Sequence, residues 1–106
     1  MSRIPQKADE YATAELVRHI DAQMGYFGLN AVRLGSAVGV SHVTVHSHKK
    51  NPASIPARSL RAYIRKLELD PVVVLQFLGY SKKEAVTALK KLSYGGEANG
   101  SNNQYI

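Results

Sequence analysis

The sequence of 106 residues contains no cysteine, which excludes a disulfide-stabilised scaffold and every zinc site built on cysteine thiolates. Long apolar runs are also absent, since the longest, Val72–Leu75, is far shorter than the roughly 20 residues of a membrane-spanning helix. The first residues lack the apolar stretch of a signal peptide. We therefore expect one compact domain that works in a cytoplasm of the bacterial type.

Acidic residues are missing from the middle of the chain. The eight acids lie at or before Asp21 and at or after Glu68, so the stretch from Ala22 to Leu67 contains none. The basic residues of this stretch are Arg33, Lys49, Lys50, Arg58, Arg61, Arg65 and Lys66. Such a stretch is either a solvated basic surface or a surface that faces a polyanion, and the net charge of +6 favours the second interpretation.

The spacing of apolar and capping residues predicts an all-α fold, a compact bundle of five to six helices. Leu16, Ile20 and Met24 recur as on the buried face of a helix. The predicted helices cover about residues 9–24, 31–38, 42–48, 58–67, 71–78 and 81–92. Predicted N-caps are Asn30, Ser41 and Asp70, with a capping box from Ser81 to Glu84. Gly25 is expected to end the first helix, residues 49–56 to form a loop, and Leu60, Ile64 and Leu67 to form the inner face of the fourth helix.

The chain is expected to divide into four parts. Residues 1–8 are predicted to be a flexible arm, and residues 9–80 to form the main domain. Residues 81–94 are predicted to add a C-terminal helix. Residues 95–106 contain little that would stabilise an ordered structure, so we expect a disordered tail.

One segment, residues 29–48, fits the requirements of two helices that cross closely across a tight turn. The fitting positions are Gly35 as the small residue at the crossing, Gly39 at the positive-φ turn position, Val40 as the residue that plugs the core, Ser41 as the cap, and Val45 as the apolar residue of the second helix.

With these residues the segment resembles a helix-turn-helix, most closely that of the phage Cro and repressor (lambda-repressor-like) family. The likeness extends to about residues 14–78 if the flanking helices are included. It implies a sequence-specific regulator of transcription, expected to be a repressor, that binds double-stranded DNA. The second helix would enter the major groove, and a homodimer would read an inverted-repeat operator. The family often has Gln near Ala31, Ala at Gly35, and an apolar residue or Trp at His48, which leaves His48 either at the core edge or exposed.

The resemblance also implies roles for individual residues. The predicted base contacts are Ser41, His42, Val43, His46 and Ser47, because histidine can donate to guanine and valine can contact a thymine methyl group. The predicted phosphate contacts are Arg33, Thr44, Lys49, Lys50, Asn51, Ser54, Arg58 and Arg61. Such phosphate contacts supply salt-sensitive affinity but little sequence information.

Three alternatives compete with a DNA-binding function. An enzyme is disfavoured because the acid-free centre offers no carboxylate to orient a base, and we expect no catalytic residue and no cofactor. A zinc site at His42 and His46 lacks completing ligands, so no metal is expected. The third is a protein-binding helical module or an antitoxin whose main partner is another protein, since residues 79–89 are similar to part of ubiquitin-associated helical hairpins.

Overall fold

The structure, a computed structural model, describes the backbone of residues 6–99 and the side chains of residues 9–92. Over that range the chain is all-helical, which confirms the predicted fold class. The elements are α1 (Gln6–Phe27), α2 (Ala31–Val38), α3 (His42–Lys50), a 3₁₀ turn (Pro52–Ser54), α4 (Ala57–Leu67), α5 (Pro71–Phe77) and α6 (Lys82–Asn99). None of the described helices is both long and apolar enough to cross a membrane.

The core lies where α1 packs against α4 and α5, and where α2 packs against α3 and α4. The predicted stripe of α1 is confirmed, since its leucine, isoleucine and methionine are all buried. The buried apolar residues of this core are Leu16, Ile20, Met24, Leu34, Val45, Tyr63, Leu67, Leu69 and Val74. Two polar side chains of α1 also fix the turn before α5: Gln23 donates to the Leu67 carbonyl at 2.7 Å, and His19 Nε2 accepts from the Asp70 N–H at 2.8 Å.

The predicted caps are confirmed by their hydrogen bonds. The Asn30 side chain accepts from the Arg33 N–H at 2.8 Å, and the Ser41 hydroxyl accepts from the Thr44 N–H at 3.1 Å. Asp70 accepts from the Val72 N–H, and Ser81 and Glu84 bond each other's backbone N–H groups reciprocally, as a capping box requires. Each cap pairs a backbone donor that the helix itself leaves unpaired, so local sequence alone is sufficient to place these boundaries.

The predicted ends of α1 are wrong at both termini. The helix already includes residues 6–8, which were predicted to be part of the arm, and residues 1–5 lie outside the described range. Gly25 is inside the helix, and the left-handed position is taken by Gly28, at φ 68°. The Leu29 N–H closes this end on the Met24 carbonyl at 2.8 Å, the long bond of a Schellman motif. Both glycines permit a C-terminus, and the closing bond is made only at the second.

The predicted loop 49–56 is wrong at its start, because α3 continues through Lys50. The helix stops at Asn51, since the residue before a proline disfavours the helical conformation, and Pro52 then opens the 3₁₀ turn. Both lysines of this segment are therefore held on a helix. The buried face of α4 also differs from the prediction: it is formed by Ser59, Tyr63 and Leu67, while Leu60 and Ile64 are only half-buried.

The last helix packs on α5 through Ala85, which is fully buried. It extends beyond the predicted end near Leu92 as far as Asn99, because each further helical residue adds a hydrogen bond once the helix has begun. Leu92 is 72% exposed. Residues 95–99, which the sequence assigns to the disordered tail, are therefore part of this helix, and residues 100–106 of the tail lie outside the described residues.

Gly35 is the point of closest approach between α2 and the turn that leads into α3. A Cβ atom at this position would lie 2.5 Å from the Val40 carbonyl oxygen and 3.2 Å from the Ser41 carbonyl carbon, both of them backbone atoms. The Gly35 carbonyl also accepts from the N–H groups of Gly39 and Val40, each at 2.8 Å. Gly39 has φ 84°, as predicted. The turn is therefore folded directly against α2, with no space for a methyl group.

We expect Gly35→Ala to lower the free energy of unfolding by about 1–2 kcal/mol, because overpacking costs about 1–3 kcal/mol and the better helix propensity returns only about 0.5–1 kcal/mol. The matched control is Gly25→Ala, also inside a helix but with nothing within 4 Å of the added Cβ. That variant should be more stable by about 0.5–1 kcal/mol. Urea unfolding measures both, and equal signs for the two variants would contradict the close-approach explanation.

Candidate functional site

The exposed side of α3 is the candidate functional site. At 3.6 residues per turn, one continuous arc of about 140° around the helix contains His42, His46, Lys50, Val43 and Ser47. All of these side chains are exposed, whereas Val45 and His48 on the opposite side are buried. Val43 is 64% exposed although it is apolar. The helix therefore presents to solvent one contiguous surface that carries ring nitrogens, an ammonium group, a hydroxyl group and a branched apolar side chain.

The predicted base-contact residues fall on or beside this surface. His42, Val43, His46 and Ser47 are on it, and Ser41 precedes it as the exposed N-cap. The hydroxyl of Ser41 is already engaged by the Thr44 N–H and lies 3.1 Å from the Thr44 hydroxyl. Thr44 itself is half-buried. The two residues thus brace the start of α3, and their hydroxyls are less available for an external partner than that of Ser47.

Several of the predicted phosphate-contact residues are exposed on α3 or on the helices packed beside it. Arg33 is exposed on α2, Lys50 at the end of α3, and Arg58 and Arg61 on α4. Since α2 packs against both α3 and α4, these three helices lie side by side. Asn51 and Ser54 are exposed in the connection, where the Ser54 hydroxyl donates to the Asn51 carbonyl at 2.7 Å.

Lys49 differs from the other cations because it already has an anionic partner. Its Nζ lies 2.6 Å from a carboxylate oxygen of Asp21 in α1, and the lysine side chain is only 24% exposed. Asp21 is the last acid before the acid-free stretch, so folding brings a carboxylate back to the edge of the basic surface. A phosphate would have to compete with this ion pair for Lys49, whereas the neighbouring Lys50 is exposed.

The structure identifies one pair of residues that the sequence analysis did not connect, His48 and Tyr63. His48 Nδ1 lies 2.7 Å from the Tyr63 hydroxyl oxygen, and the two rings meet edge to face at 5.7 Å. The residues are only 6% and 2% exposed. The available signal was the position of His48 three residues after Val45, on the same buried face of α3. Burial lowers the pKa of His48 and raises the pKa of Tyr63.

The rings of His42 and His46 are 6.4 Å apart and roughly perpendicular. The described residues contain no group of three or more histidine or carboxylate side chains arranged to hold a metal ion. Comparison of the chain with known protein families, curated proteins and solved structures finds no match. The geometry of the exposed α3 surface and its charges is therefore the basis for a functional interpretation.

We expect the free energy of unfolding to decrease as the pH falls from 7.5 to 5.5, because of His48. Its pKa is below the usual value of about 6.5 in the folded chain, so below that pH the unfolded chain binds more protons and is favoured. Above about pH 7 both states are neutral at this position and the effect vanishes. Urea titrations of the wild type and of His48→Gln should diverge as the pH falls, and parallel curves would contradict the assignment.

Proposed function

We propose that the protein is a sequence-specific regulator of transcription that inserts α3 into the major groove of double-stranded DNA. The observation that carries this proposal is the two-sided construction of α3. Its inner side is anchored by Val45 and His48, while its outer side is a continuous exposed surface with varied hydrogen-bonding and apolar groups. A helix of ordinary diameter fits the major groove, which is about 12 Å wide. Such a protein would act in the compartment that holds the DNA, in a bacterial or phage-infected cell.

Each residue of the exposed surface matches a chemical group of DNA. His42 and His46 can donate to the N7 or O6 atom of guanine, Val43 can contact a thymine methyl group, and Ser47 can reach a base edge or a phosphate. These contacts would provide sequence discrimination. The exposed cations, Lys50 with Arg33, Arg58 and Arg61, would contact phosphates and provide affinity for any sequence. We assign Lys49 a smaller contribution, since Asp21 already neutralises it.

We further propose that the protein binds DNA as a homodimer. One α3 surface spans too few base pairs for a regulator to find its operator, and a two-fold axis would place two such helices about 34 Å apart on an inverted repeat. Exposed apolar residues away from α3 are available for such an association. They lie around the junction of α5 and α6 and on α6, at Leu78, Tyr80, Val86 and Leu92. The same exposed residues support a second proposal, in which the main partner is another protein, as for an antitoxin.

Replacing both exposed histidines, as in H42A/H46A, should reduce binding to the preferred sequence by tenfold or more, on the order of 1–3 kcal/mol per lost base contact. Binding to unrelated DNA should change little, because phosphate contacts remain. The preferred sequence is first obtained by selection from random DNA with the wild type, which also shows whether it is an inverted repeat. An equal loss on all sequences would contradict base recognition by α3.

Replacing two exposed cations, as in K50Q/R58Q, should weaken binding to all sequences alike. The slope of log affinity against log salt should become shallower by roughly two units per bound subunit, and so by roughly four for the homodimer, since each phosphate contact contributes about 0.9. The matched control is K90Q/K91Q, which removes the same charge from exposed positions of α6 and should affect binding much less. If the wild type shows no salt-sensitive binding to DNA fragments at about 50 mM salt, the DNA-binding proposal fails and a protein partner is favoured.

A further inference from the structure

We propose that the hydrogen bond between His48 and Tyr63 positions α3 for sequence discrimination, so that His48 is a positioning residue for the exposed surface of the same helix. The inference rests on the proposed function, because it names a determinant of how that surface recognises DNA. It also gives the three histidines of α3 two different roles. His42 and His46 face outward and would contact DNA, whereas His48 faces inward and holds the helix.

Few buried side chains anchor α3. The helix has nine residues, and only Val45 and His48 are buried. Its N-terminal end is held by the tight turn against Gly35 and by the Ser41 cap. In the C-terminal half the one buried side chain is a histidine. One of the two buried side chains that hold α3 against the core is therefore polar.

The attachment through His48 is directional. Apolar contacts are non-directional, so a helix held only by them can rotate or slide slightly with little loss. A hydrogen bond between buried groups is different, because displacement leaves two polar atoms unpaired away from water. His48 Nδ1 and the Tyr63 hydroxyl are 2.7 Å apart and come from two different helices. The bond therefore fixes α3 relative to α4, and with it the direction in which the exposed side chains point.

The hydrogen bond between His48 and Tyr63 depends on the protonation state of the histidine. Neutral imidazole can accept a hydrogen bond from the phenol or donate one to it, whereas protonated imidazole carries N–H donors on both nitrogens and leaves a buried charge. The charged or titratable groups on the helices around this pair are Arg33 on α2, His42, His46, Lys49 and Lys50 on α3, and Arg58, Arg61, Tyr63, Arg65 and Lys66 on α4, while Asp21 of α1 reaches this end of α3 through Lys49. Of these groups, Tyr63 is the hydrogen-bond partner of His48. The carboxylate of Asp21 is already paired with Lys49. Protonation of His48 therefore opposes the ordered arrangement of α3.

The test compares Tyr63→Phe, His48→Leu and His48→Gln with the wild type. The probes are a duplex selected by the wild type from random DNA and a scrambled duplex of equal length, and circular dichroism establishes that each variant is folded. At pH 7.5, the phenylalanine and leucine variants should lose about five- to tenfold in the ratio of specific to nonspecific affinity, the equivalent of one net hydrogen bond. His48→Gln retains a hydrogen-bonding group and should lose less. The salt slope should be unchanged in all variants, because the phosphate contacts are unchanged.

The pH profile separates positioning from a purely structural role. Between pH 7.5 and 5.5, the specificity of the wild type should fall relative to that of His48→Gln, whose side chain does not titrate. His42 and His46 are present in both proteins, so their protonation cancels in this comparison. A folded Tyr63→Phe variant with wild-type specificity would overturn the positioning role and leave the proposed function intact. If Tyr63→Phe does not fold, the comparison with His48→Gln decides. A specificity of the wild type that stays in constant proportion to that of His48→Gln from pH 7.5 to 5.5 overturns the positioning role. If selection with the wild type enriches no sequence from random DNA, both the positioning role and the proposed function are overturned.

Discussion

The fold around α3 depends on one close backbone approach, between Gly35 in α2 and the carbonyl of Val40. Because no Cβ separates them, the turn lies directly on α2, and the Gly35 carbonyl can accept from two consecutive N–H groups of that turn. This contact determines where α3 begins. The Ser41 cap then fixes its first turn, and the period of the helix determines which residues face the core. The contact at Gly35 thus determines which side chains, from His42 onward, form the exposed surface.

Much of the fold was predictable because its signals are local. Caps, a positive-φ glycine and a four-residue apolar spacing each act within one or two turns of helix, and they placed α2 and the starts of α3 and α5 correctly. The errors arise where two local signals compete and tertiary contacts decide. Gly25 and Gly28 can both end a helix, and only the closing bond from Leu29 selects the second. In α4 the sequence allows either Leu60 or Tyr63 on the buried face. Tyr63 is the buried residue, and its hydroxyl forms a hydrogen bond with His48 in α3.

The composition of the candidate site followed from helical periodicity, but its electrostatics did not. The sequence shows an acid-free stretch, and from this a uniformly basic surface is expected. Folding brings Asp21, which directly precedes the stretch, to within 2.6 Å of Lys49. Pairs between residues on separate helices depend on packing distances that periodicity does not contain. A partly exposed ion pair of this kind contributes on the order of 1 kcal/mol to stability. Its larger effect is to remove one cation from the set available to an external anion.

The three histidines of α3 contribute to different properties of the helix, two to its exposed surface and one to its packing. On the exposed surface, the rings of His42 and His46 are available to an external partner. His48 is placed differently, because burial lowers its pKa and protonation would leave a charge in the core. An apolar residue at this position would pack without any such dependence. The histidines of this nine-residue helix therefore lie in two environments: His42 and His46 are in solvent on the exposed surface, and His48 is in the core beside Tyr63.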